Sequence, residues 1–179
     1  MVAIMREILR KYPKCEFGRE LFPGNLIPIL RVSGGKTTAD VADWGYLTQK
    51  GKRVYNARSE TLLEKPLFGK DFVQNRCVIP VTGFCEWDGD GTGWDFLPQE
   101  EEMLYLAGFC RKKTEGWEAT VVTEHASGCV GEIHHRTPLI LSGENLRQWL
   151  YDEGQARQFL EEAKERVLLK RKKMEGETL

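Results

Sequence analysis

The sequence predicts one domain that has helices near both ends and mostly strands between them. Short runs of apolar and β-branched residues, bounded by Gly and Pro, recur between positions 26 and 141, and such runs are typical of strands. Apolar residues at helical spacing occur near each terminus. A chain of 179 residues, of which 41% are hydrophobic, is long enough to bury a core of its own, and no change of composition marks a linker.

The first predicted elements are a helix and a hairpin. The helix is short and amphipathic and ends at Pro13; its apolar positions are Ile4, Met5, Ile8, Leu9 and Tyr12. Strands are predicted at 26–32, 41–47, 77–87, 103–110, 119–123 and 139–141. The first two flank turn residues at 33–37, which indicates a hairpin. Residues 59–65 have helical spacing, and Pro66 ends that segment.

The C-terminal region is predicted to be a second amphipathic helix followed by a basic tail. The apolar face of this helix consists of Ala156, Phe159, Leu160, Ala163 and Val167. The run Lys170-Arg171-Lys172-Lys173 follows, and a block of like charges is most simply a solvated segment. We therefore predict a domain over residues 1–169 and a basic tail over residues 170–179.

Composition restricts the cellular setting. The five cysteines have irregular spacing without a Cys-x-x-Cys pair, and no signal peptide is visible, which indicates reduced thiols in a cytoplasmic protein; they are Cys15, Cys77, Cys85, Cys110 and Cys129. No apolar run is long enough for a membrane span. The net charge of −1 neither requires nor excludes a polyanionic partner, so any contact with DNA must use a local basic patch.

Two apparent ligand motifs fail when their spacing is checked. Gly35-Lys36-Thr37 imitates the end of a phosphate-binding loop, but Leu30 occupies the position of the required upstream Gly. The segment 88–93 resembles the start of a calcium loop, but Gln99 replaces the bidentate Glu. We expect a hairpin turn at the first and a hairpin tip at the second. His and Cys lack metal-ligand spacing, so we expect no metal and no cofactor.

Glu86 is the most informative single residue, because it lies in the otherwise apolar run 77–87. Burial of a carboxylate raises its pKa, and a carboxyl group with a raised pKa can act as a general acid or base near neutral pH. The alternative is a Glu on an edge strand that faces water. The segment by itself leaves both interpretations open.

Three polar clusters adjoin predicted strands, at 56–61, 83–87 and 134–138. They supply an amide (Asn56), a carboxylic acid (Glu86), an imidazole (His134) and two guanidinium groups (Arg58 and Arg136), which together suit an active site. Neighbours on an extended chain point to opposite sides, so only one of the adjacent residues at 134 and 135 is expected in the pocket. A structural role for His134, and plain ion pairs for the two arginines, remain the alternatives.

These clusters resemble motifs of the SOS response-associated peptidase (SRAP) family, whose members covalently capture abasic sites in single-stranded DNA. The matching motifs, in the family's order, are Gly18-Arg19, Phe22-Pro23-Gly24, Trp44-Gly45-Tyr46, Asn56 to Thr61, Arg76 to Pro80, Gly83 to Trp87, Thr123 and His134 to Pro138. The resemblance implies a compact α+β fold, with a mostly antiparallel barrel-like sheet flanked by helices and a positively charged groove for DNA. The predicted strands agree with that fold, and we expect a monomer.

The resemblance also assigns roles to individual residues. Asn56 would hold the sugar, Glu86 would move protons during sugar opening and crosslink reversal, and His134 would assist as an acid or hydrogen-bond donor. The DNA-binding residues would be Arg58 and Arg136 on phosphates, Pro23 and Trp44 as a wedge against unstacked bases, and Thr123 as a polar contact.

In the family, a cysteine at the second position becomes the N-terminus, and its amine and thiol together close a thiazolidine on the sugar aldehyde. This sequence begins Met1-Val2-Ala3-Ile4, and Cys15 cannot replace that cysteine because its nitrogen is in a peptide bond. Three explanations stay open: a start placed downstream of the true one, a homologue that binds DNA without chemistry, or a terminal amine that forms a reversible imine. Smaller departures from the family's pattern occur at Cys85, His135 and Thr137.

The sequence therefore predicts a DNA-damage protein that binds single-stranded DNA and senses abasic sites, in the cytoplasm and on the nucleoid when bound. Crosslinking through a second-position cysteine is not expected of this sequence as it stands. One alternative is a single-stranded DNA-binding module without catalysis. Another is a thiol peptidase or related hydrolase, in which Cys85 or Cys77 would pair with His134.

Overall fold

The computed structural model describes residues 2–14, 20–162 and 167–174. Its helices are α1 (Val2–Lys11), α2 (Gly69–Gln74), α3 (Gly128–Gly131), α4 (Asn145–Tyr151) and α5 (Glu153–Glu161), with a 3-10 turn at Leu62–Glu64. Its strands are β1 (Leu26–Ser33), β2 (Lys36–Trp44), β3 (Tyr46–Leu47), β4 (Arg53–Val54), β5 (Asn56–Arg58), β6 (Arg76–Val81), β7 (Phe84–Trp87), β8 (Gly93–Pro98), β9 (Leu104–Lys112), β10 (Trp117–His125), β11 (Arg136–Pro138), β12 (Ile140–Leu141) and β13 (Leu169–Lys173).

The main sheet closes on itself through a ring of pairings. Strands β2, β1, β6 and β9 follow β10 in hydrogen-bonded order, and β9 pairs with β10 again. Strand β12 adds to β9, and β5 and β11 add to β10. All pairs are antiparallel except those of β10 with β2 and β5. The predicted α+β class with a mostly antiparallel sheet flanked by helices is therefore confirmed.

Apolar side chains lie on both faces of this sheet, because neighbours on a strand point to opposite sides. On β6, Val78 belongs to a cluster with Phe72 and Trp149 from helices α2 and α4. Its neighbours Cys77 and Ile79 belong to a second cluster on the opposite face. We call these the helix face and the site face. Two covered faces explain why β6 and β9 are almost continuously apolar rather than alternating.

A second sheet, in the order β13-β8-β7, packs on the site face. Phe84 of β7 stacks on Phe96 of β8 with ring centroids 5.1 Å apart, and Phe96 is fully buried. Leu169 of β13 joins the same apolar cluster. These contacts hold the β7–β8 hairpin, and with it the strand that carries Glu86, against the main sheet.

Most of the helices and strands predicted from the sequence are confirmed. The N-terminal helix ends before Pro13, and the hairpin turn uses Gly34 and Gly35 at φ of +57° and +74°, a conformation that Gly adopts without strain. The predicted strand at 77–87 divides into β6 and β7. The break falls at Gly83, where a side chain would meet the backbone oxygen of Phe96 at 2.7 Å.

Three predictions of local structure differ from the observed structure. Residues 59–65 form only the 3-10 turn, since the preceding backbone is committed to β5. The basic run at 170–173, expected to be a solvated tail, is part of β13 and pairs with β8. The side chains of this run are exposed, which is all that its composition could predict. The C-terminal helix ends at Glu161, and Ala163 lies outside the described residues, as do Cys15, Gly18 and Arg19.

Candidate active site

The last residues of β10 align the first and third polar clusters. Arg58 of β5 lies opposite Thr123 in the parallel pair, and Thr123 lies opposite Pro138 of β11 in the antiparallel pair. Asn56 lies opposite Val121, which belongs to the apolar cluster of the site face. Since side chains of paired residues share a face, Asn56 and Arg58 project on the side of the sheet where Glu86 lies.

Glu86 sits on β7, and its side chain is 27% exposed. Burial raises the pKa of this carboxyl group, while the nearby His134 and the backbone N–H of Trp87 partly oppose the shift. The direction is the one expected from the apolar sequence around it. The residue is therefore neither fully buried nor the water-facing Glu of the alternative interpretation, and it can exchange protons with a ligand.

His134 brings an imidazole to this carboxylate. Its Nδ1 atom lies 3.7 Å from Oε2 of Glu86, beyond a hydrogen bond but within reach of an ion pair when the ring is protonated. The same Nδ1 is 3.2 Å from the backbone nitrogen and 3.0 Å from the backbone oxygen of Arg136. These backbone contacts fix the ring beside Glu86. The structure thus brings the second and third polar clusters together.

The expectation that the two adjacent histidines point to opposite sides is wrong. The rings of His134 and His135 contact each other, with centroids 4.5 Å apart and planes tilted by 46°. The physical reason is that the chain leaves α3 through a turn here and becomes extended only at Arg136. His135 is exposed, whereas the His134 side chain is only 32% exposed.

Arg136 is held by a fork of hydrogen bonds. Its two terminal nitrogens donate to the two carboxylate oxygens of Glu60 at 2.7 and 3.1 Å. One of them also donates to the backbone oxygen of Thr123 at 2.6 Å. The Arg136 side chain is only 12% exposed, and its hydrogen bonds lower the pKa of Glu60. The ion-pair interpretation of Arg136 is thus realised in this structure, and its contact with phosphate stays a prediction.

The proposed wedge residues lie side by side. The backbone N–H of Gly24, next to Pro23, donates to the Trp44 oxygen at 2.8 Å, and the Trp44 N–H donates to Asn25. Trp44 also donates through Nε1 to the backbone oxygen of Tyr55 at 3.2 Å. The Trp44 and Tyr55 rings meet edge to face at 6.2 Å. Pro23 is exposed and Trp44 is partly exposed, so both are accessible to a ligand.

Two useful residues were not assigned a role by sequence reasoning. Tyr55, directly before Asn56, is 44% exposed. Glu60 holds Arg136 and also approaches Nε2 of His125 at 3.4 Å. The Arg136 partner of Glu60 is 76 positions away in the sequence, so no local pattern could have identified the pair. The sequence did not indicate a binding role for Tyr55, because Tyr is common in strands whether or not it binds a ligand.

The candidate thiols are not activated. Cys77 is fully buried, and burial raises its pKa. Burial and the neighbouring Asp95 raise the pKa of Cys85 to about 12, and its Sγ lies 3.0 Å from Oδ1 of Asp95. A thiol nucleophile needs the opposite shift. This geometry gives no support to a thiol peptidase built on either cysteine.

Within residues 2–14, 20–162 and 167–174, no group of three His, Cys, Asp or Glu side chains is arranged to hold a metal ion. In the same part of the chain, no helix has both the length and the apolar character that a membrane crossing requires.

Comparison with known proteins places these features in context. A family model described as SOS response associated peptidase (SRAP) matches residues 9–175. The abasic site processing protein YoqW of Bacillus subtilis is 32% identical over 119 residues, which cover 62% of this chain and 53% of that protein. The abasic site processing protein HMCES of Gallus gallus is 34% identical over 124 residues, covering 53% and 37%. This chain spans about half the length of the bacterial relatives it matches.

Two crystal structures share the fold. One, of a protein from Bordetella bronchiseptica, aligns with a TM-score of 0.74 at 22% identity and covers 93% of this chain and 94% of that one. The other, of a protein from Bacteroides thetaiotaomicron, has a TM-score of 0.68 at 21% identity and covers 84% and 74%. At these identities the likeness concerns the fold alone.

Proposed function

Because this chain belongs to the SOS response associated peptidase (SRAP) family, we propose that it binds single-stranded DNA and acts on abasic sites. Its relatives are named as abasic site processing proteins. Glu86 is the proton-transfer group in this proposal, His134 is its acidic partner, and Asn56 orients the sugar. The observation that carries the proposal is the half-buried Glu86 carboxylate beside the His134 imidazole.

The chemistry suited to this pair is opening of the abasic sugar. The closed form is a hemiacetal, and Glu86 accepts the proton of its C1 hydroxyl as the bond between C1 and the ring oxygen breaks. The protonated His134 ring donates a proton to that oxygen, which leaves as the C4 hydroxyl. The products are an aldehyde at C1, a neutral imidazole and a protonated Glu86. Because 3.7 Å is too long for direct transfer, the proton returns to His134 through solvent and restores the pair.

The surroundings of the pair suit a nucleic acid strand. Arg58 is exposed and projects from β5 on the site face, where its guanidinium can bind a phosphate. Trp44 and Tyr55 offer aromatic rings to unstacked bases, and Pro23 lies beside them. Proteins hold single strands without reading their sequence in two ways: aromatic side chains stack on the bases, and basic side chains contact the charged phosphates. Arg136 would reach a phosphate only by exchanging its bond to Glu60.

The proposal is tested with labelled single-stranded oligonucleotides. One carries a true abasic site, and the other carries a tetrahydrofuran analogue that has no C1 hydroxyl and cannot open. The wild-type chain is expected to bind both and to react only with the first, where an amine of the chain attacks the released aldehyde and forms an imine with loss of water. Reduction with borohydride traps this imine as a covalent adduct, and without reduction it leads to strand cleavage, both of which a denaturing gel detects. Glu86→Gln should slow the reaction by about 10²- to 10⁴-fold, the usual contribution of a general acid or base, with binding of the analogue retained.

A second candidate is a binding module without chemistry, which the exposed Tyr55 and Arg58 and the partly exposed Trp44 favour. Binding of both oligonucleotides with no covalent or cleaved product would select it. Glu115→Gln, in the exposed turn between β9 and β10, is the matched control for loss of one carboxylate. If the wild-type chain binds neither oligonucleotide at low salt, both candidates are rejected.

A further inference from the structure

The basic run at 170–173 forms an exposed edge strand next to the strands of the candidate site. Strand β13 pairs with β8, and β8 pairs with β7. Lys173 lies opposite Trp94, and Trp94 lies opposite Glu86. These three residues therefore form one row across the small sheet. Two strand spacings of about 4.8 Å separate Lys173 from Glu86, so their backbones are about 10 Å apart.

Alternation along β13 divides its four cations between two faces. Arg171 and Lys173 share the face of Glu86, since Arg171 lies opposite Phe96 and its guanidinium sits 5.2 Å from the Trp94 ring centre. Lys170 and Lys172 lie on the other face; Lys172 lies opposite Asp95 in the register of β13 and β8. A disordered basic tail would not separate its cations onto two faces in this way.

We propose that β13 is a phosphate-binding strand, in which Arg171 and Lys173 extend the contact with single-stranded DNA outward from the Glu86 site. This inference rests on the proposed function. It adds to the DNA-binding surface a segment that the sequence predicted to be a solvated tail. The partner is the sugar-phosphate backbone of the DNA arm beside the lesion. Two cations on the face of the site, at the edge of a sheet, match a chain of evenly spaced negative charges.

Acidic neighbours do not block this surface. Arg171 pairs with Glu132, but the two side chains are 35% and 63% exposed, and an exposed pair of this kind contributes little. A phosphate can therefore take the place of Glu132. Asp88 lies near Lys173, but its carboxylate already accepts from the backbone of Asp90 and Thr92 and from Trp94 Nε1, at 2.9 to 3.0 Å.

The test measures the salt dependence of binding to an oligonucleotide with a central tetrahydrofuran site, between about 50 and 200 mM salt. Each lost phosphate contact should reduce the slope of log K against log salt by about 0.7 for a single strand. Arg171→Gln with Lys173→Gln should therefore reduce the slope by about 1.4. The control, Lys170→Gln with Lys172→Gln, removes the same charge from the other face of the same strand and should leave the slope unchanged.

Two additional variants decide the result if the double variant fails to fold. Lys173→Gln alone, at an exposed position, should reduce the slope by about 0.7 and carries the test if the double variant fails to fold. Glu132→Gln should strengthen binding because it frees Arg171. Equal slopes for the two double variants, with wild-type binding intact, would overturn the inference and leave the proposed function standing. Absence of wild-type binding would overturn both.

Discussion

Glu86 Oε2 and His134 Nδ1 lie 3.7 Å apart, although 48 positions separate the two residues in the chain. The pair forms because the β7–β8 hairpin packs on the site face through Phe84 and Phe96, while the turn after α3 directs the imidazole toward it. The charge of a protonated His134 opposes the upward pKa shift that burial gives Glu86.

The first prediction concerns stability and pH. Burial raises the pKa of Glu86 in the folded protein, so between the unfolded and folded pKa values the folded state binds more protons. The contribution of Glu86 to the free energy of unfolding therefore falls as the pH rises through that window. Glu86→Gln should be more stable than wild type at pH 7.5, by on the order of 1 kcal/mol, or about 2–4 °C in Tm.

Thermal melts at several pH values measure this effect. The difference between Glu86→Gln and wild type should shrink below about pH 4, where the ordinary carboxyl group is protonated in both states. Glu115→Gln, in an exposed turn, should show no such pH-dependent gain. A Glu86→Gln protein less stable than wild type at pH 7.5 would contradict the pKa direction. A gain in stability with a loss of activity is the usual relation at a site built for function.

The second prediction concerns Arg136, which joins β11 to the segment after β5 across β10. It donates to Glu60 and to the Thr123 backbone and is only 12% exposed. Arg136→Ala should lower the free energy of unfolding by about 1.5–2 kcal/mol, because the Thr123 oxygen loses its donor while the Glu60 carboxylate, 36% exposed, is partly rehydrated. Urea denaturation at constant m-value measures the change.

Two variants control for loss of charge alone. Arg136→Lys keeps the charge but not the planar fork, so it should recover less than half of the lost stability. Arg157→Ala breaks an exposed pair with Glu153, both side chains being 42% exposed, and should cost less than about 1 kcal/mol. If Arg136→Ala and Arg157→Ala lower the free energy of unfolding equally, the hydrogen bonds of Arg136 to Glu60 contribute no more than an exposed ion pair.

The sequence predicted the parts of the fold that depend on local pattern. The hairpin at Gly34 and Gly35 followed from turn residues between two apolar runs, and the pKa direction of Glu86 followed from its apolar neighbours. Strand β13 was not predictable, because Lys-rich runs disfavour strands. It forms since Leu169 is buried and the backbone of β8 supplies a partner, which is a tertiary effect.

The candidate site shows the same division between local and tertiary information. The residue types at 56, 86 and 134 identified a plausible chemistry, but only the register of β5, β10 and β11 places two of the clusters on one face. The pairing of Arg136 with Glu60 spans 76 positions, and charge patterns carry no information on partners so far apart. The orientation of His135 depended on a turn that the apolar pattern did not indicate.

The third prediction concerns the cysteines. With a pKa of about 12, Cys85 has on the order of one part in ten thousand of its thiol ionised at pH 8, compared with roughly a quarter for an ordinary cysteine. Alkylation of Cys85 and Cys77 by iodoacetamide should therefore be very slow in the folded protein and fast in urea. Peptide mapping by mass spectrometry separates these two thiols from the others.

A matching functional variant is Cys85→Ala, which should leave reaction with abasic DNA within about two-fold of wild type, since a thiol with a raised pKa supplies no nucleophile. Rapid native labelling of Cys85, or loss of activity in a well-folded Cys85→Ala protein, would restore the thiol-hydrolase alternative.

The fourth prediction concerns Gly108, which lies where β9 is paired on both sides. It is opposite Cys77 of β6 and Val121 of β10, so the ring of strands passes through it. A Cβ atom here would lie 2.7 Å from the backbone oxygen of Thr120 and 2.8 Å from Cδ1 of Ile79. The first contact involves backbone and cannot be relieved by a rotamer change.

Gly108→Ala should therefore lower the free energy of unfolding by about 1–3 kcal/mol, the cost of overpacking a filled core. Gly89→Ala, at a hairpin tip where an added Cβ meets nothing within 4 Å, should stay within about 0.5 kcal/mol of wild type. Adding Ile79→Val to Gly108→Ala removes the Cδ1 contact and should recover only part of the loss, because the Thr120 oxygen still obstructs. If Gly108→Ala is as stable as Gly89→Ala, the strands β9 and β10 are not as closely paired at this point as the ring requires.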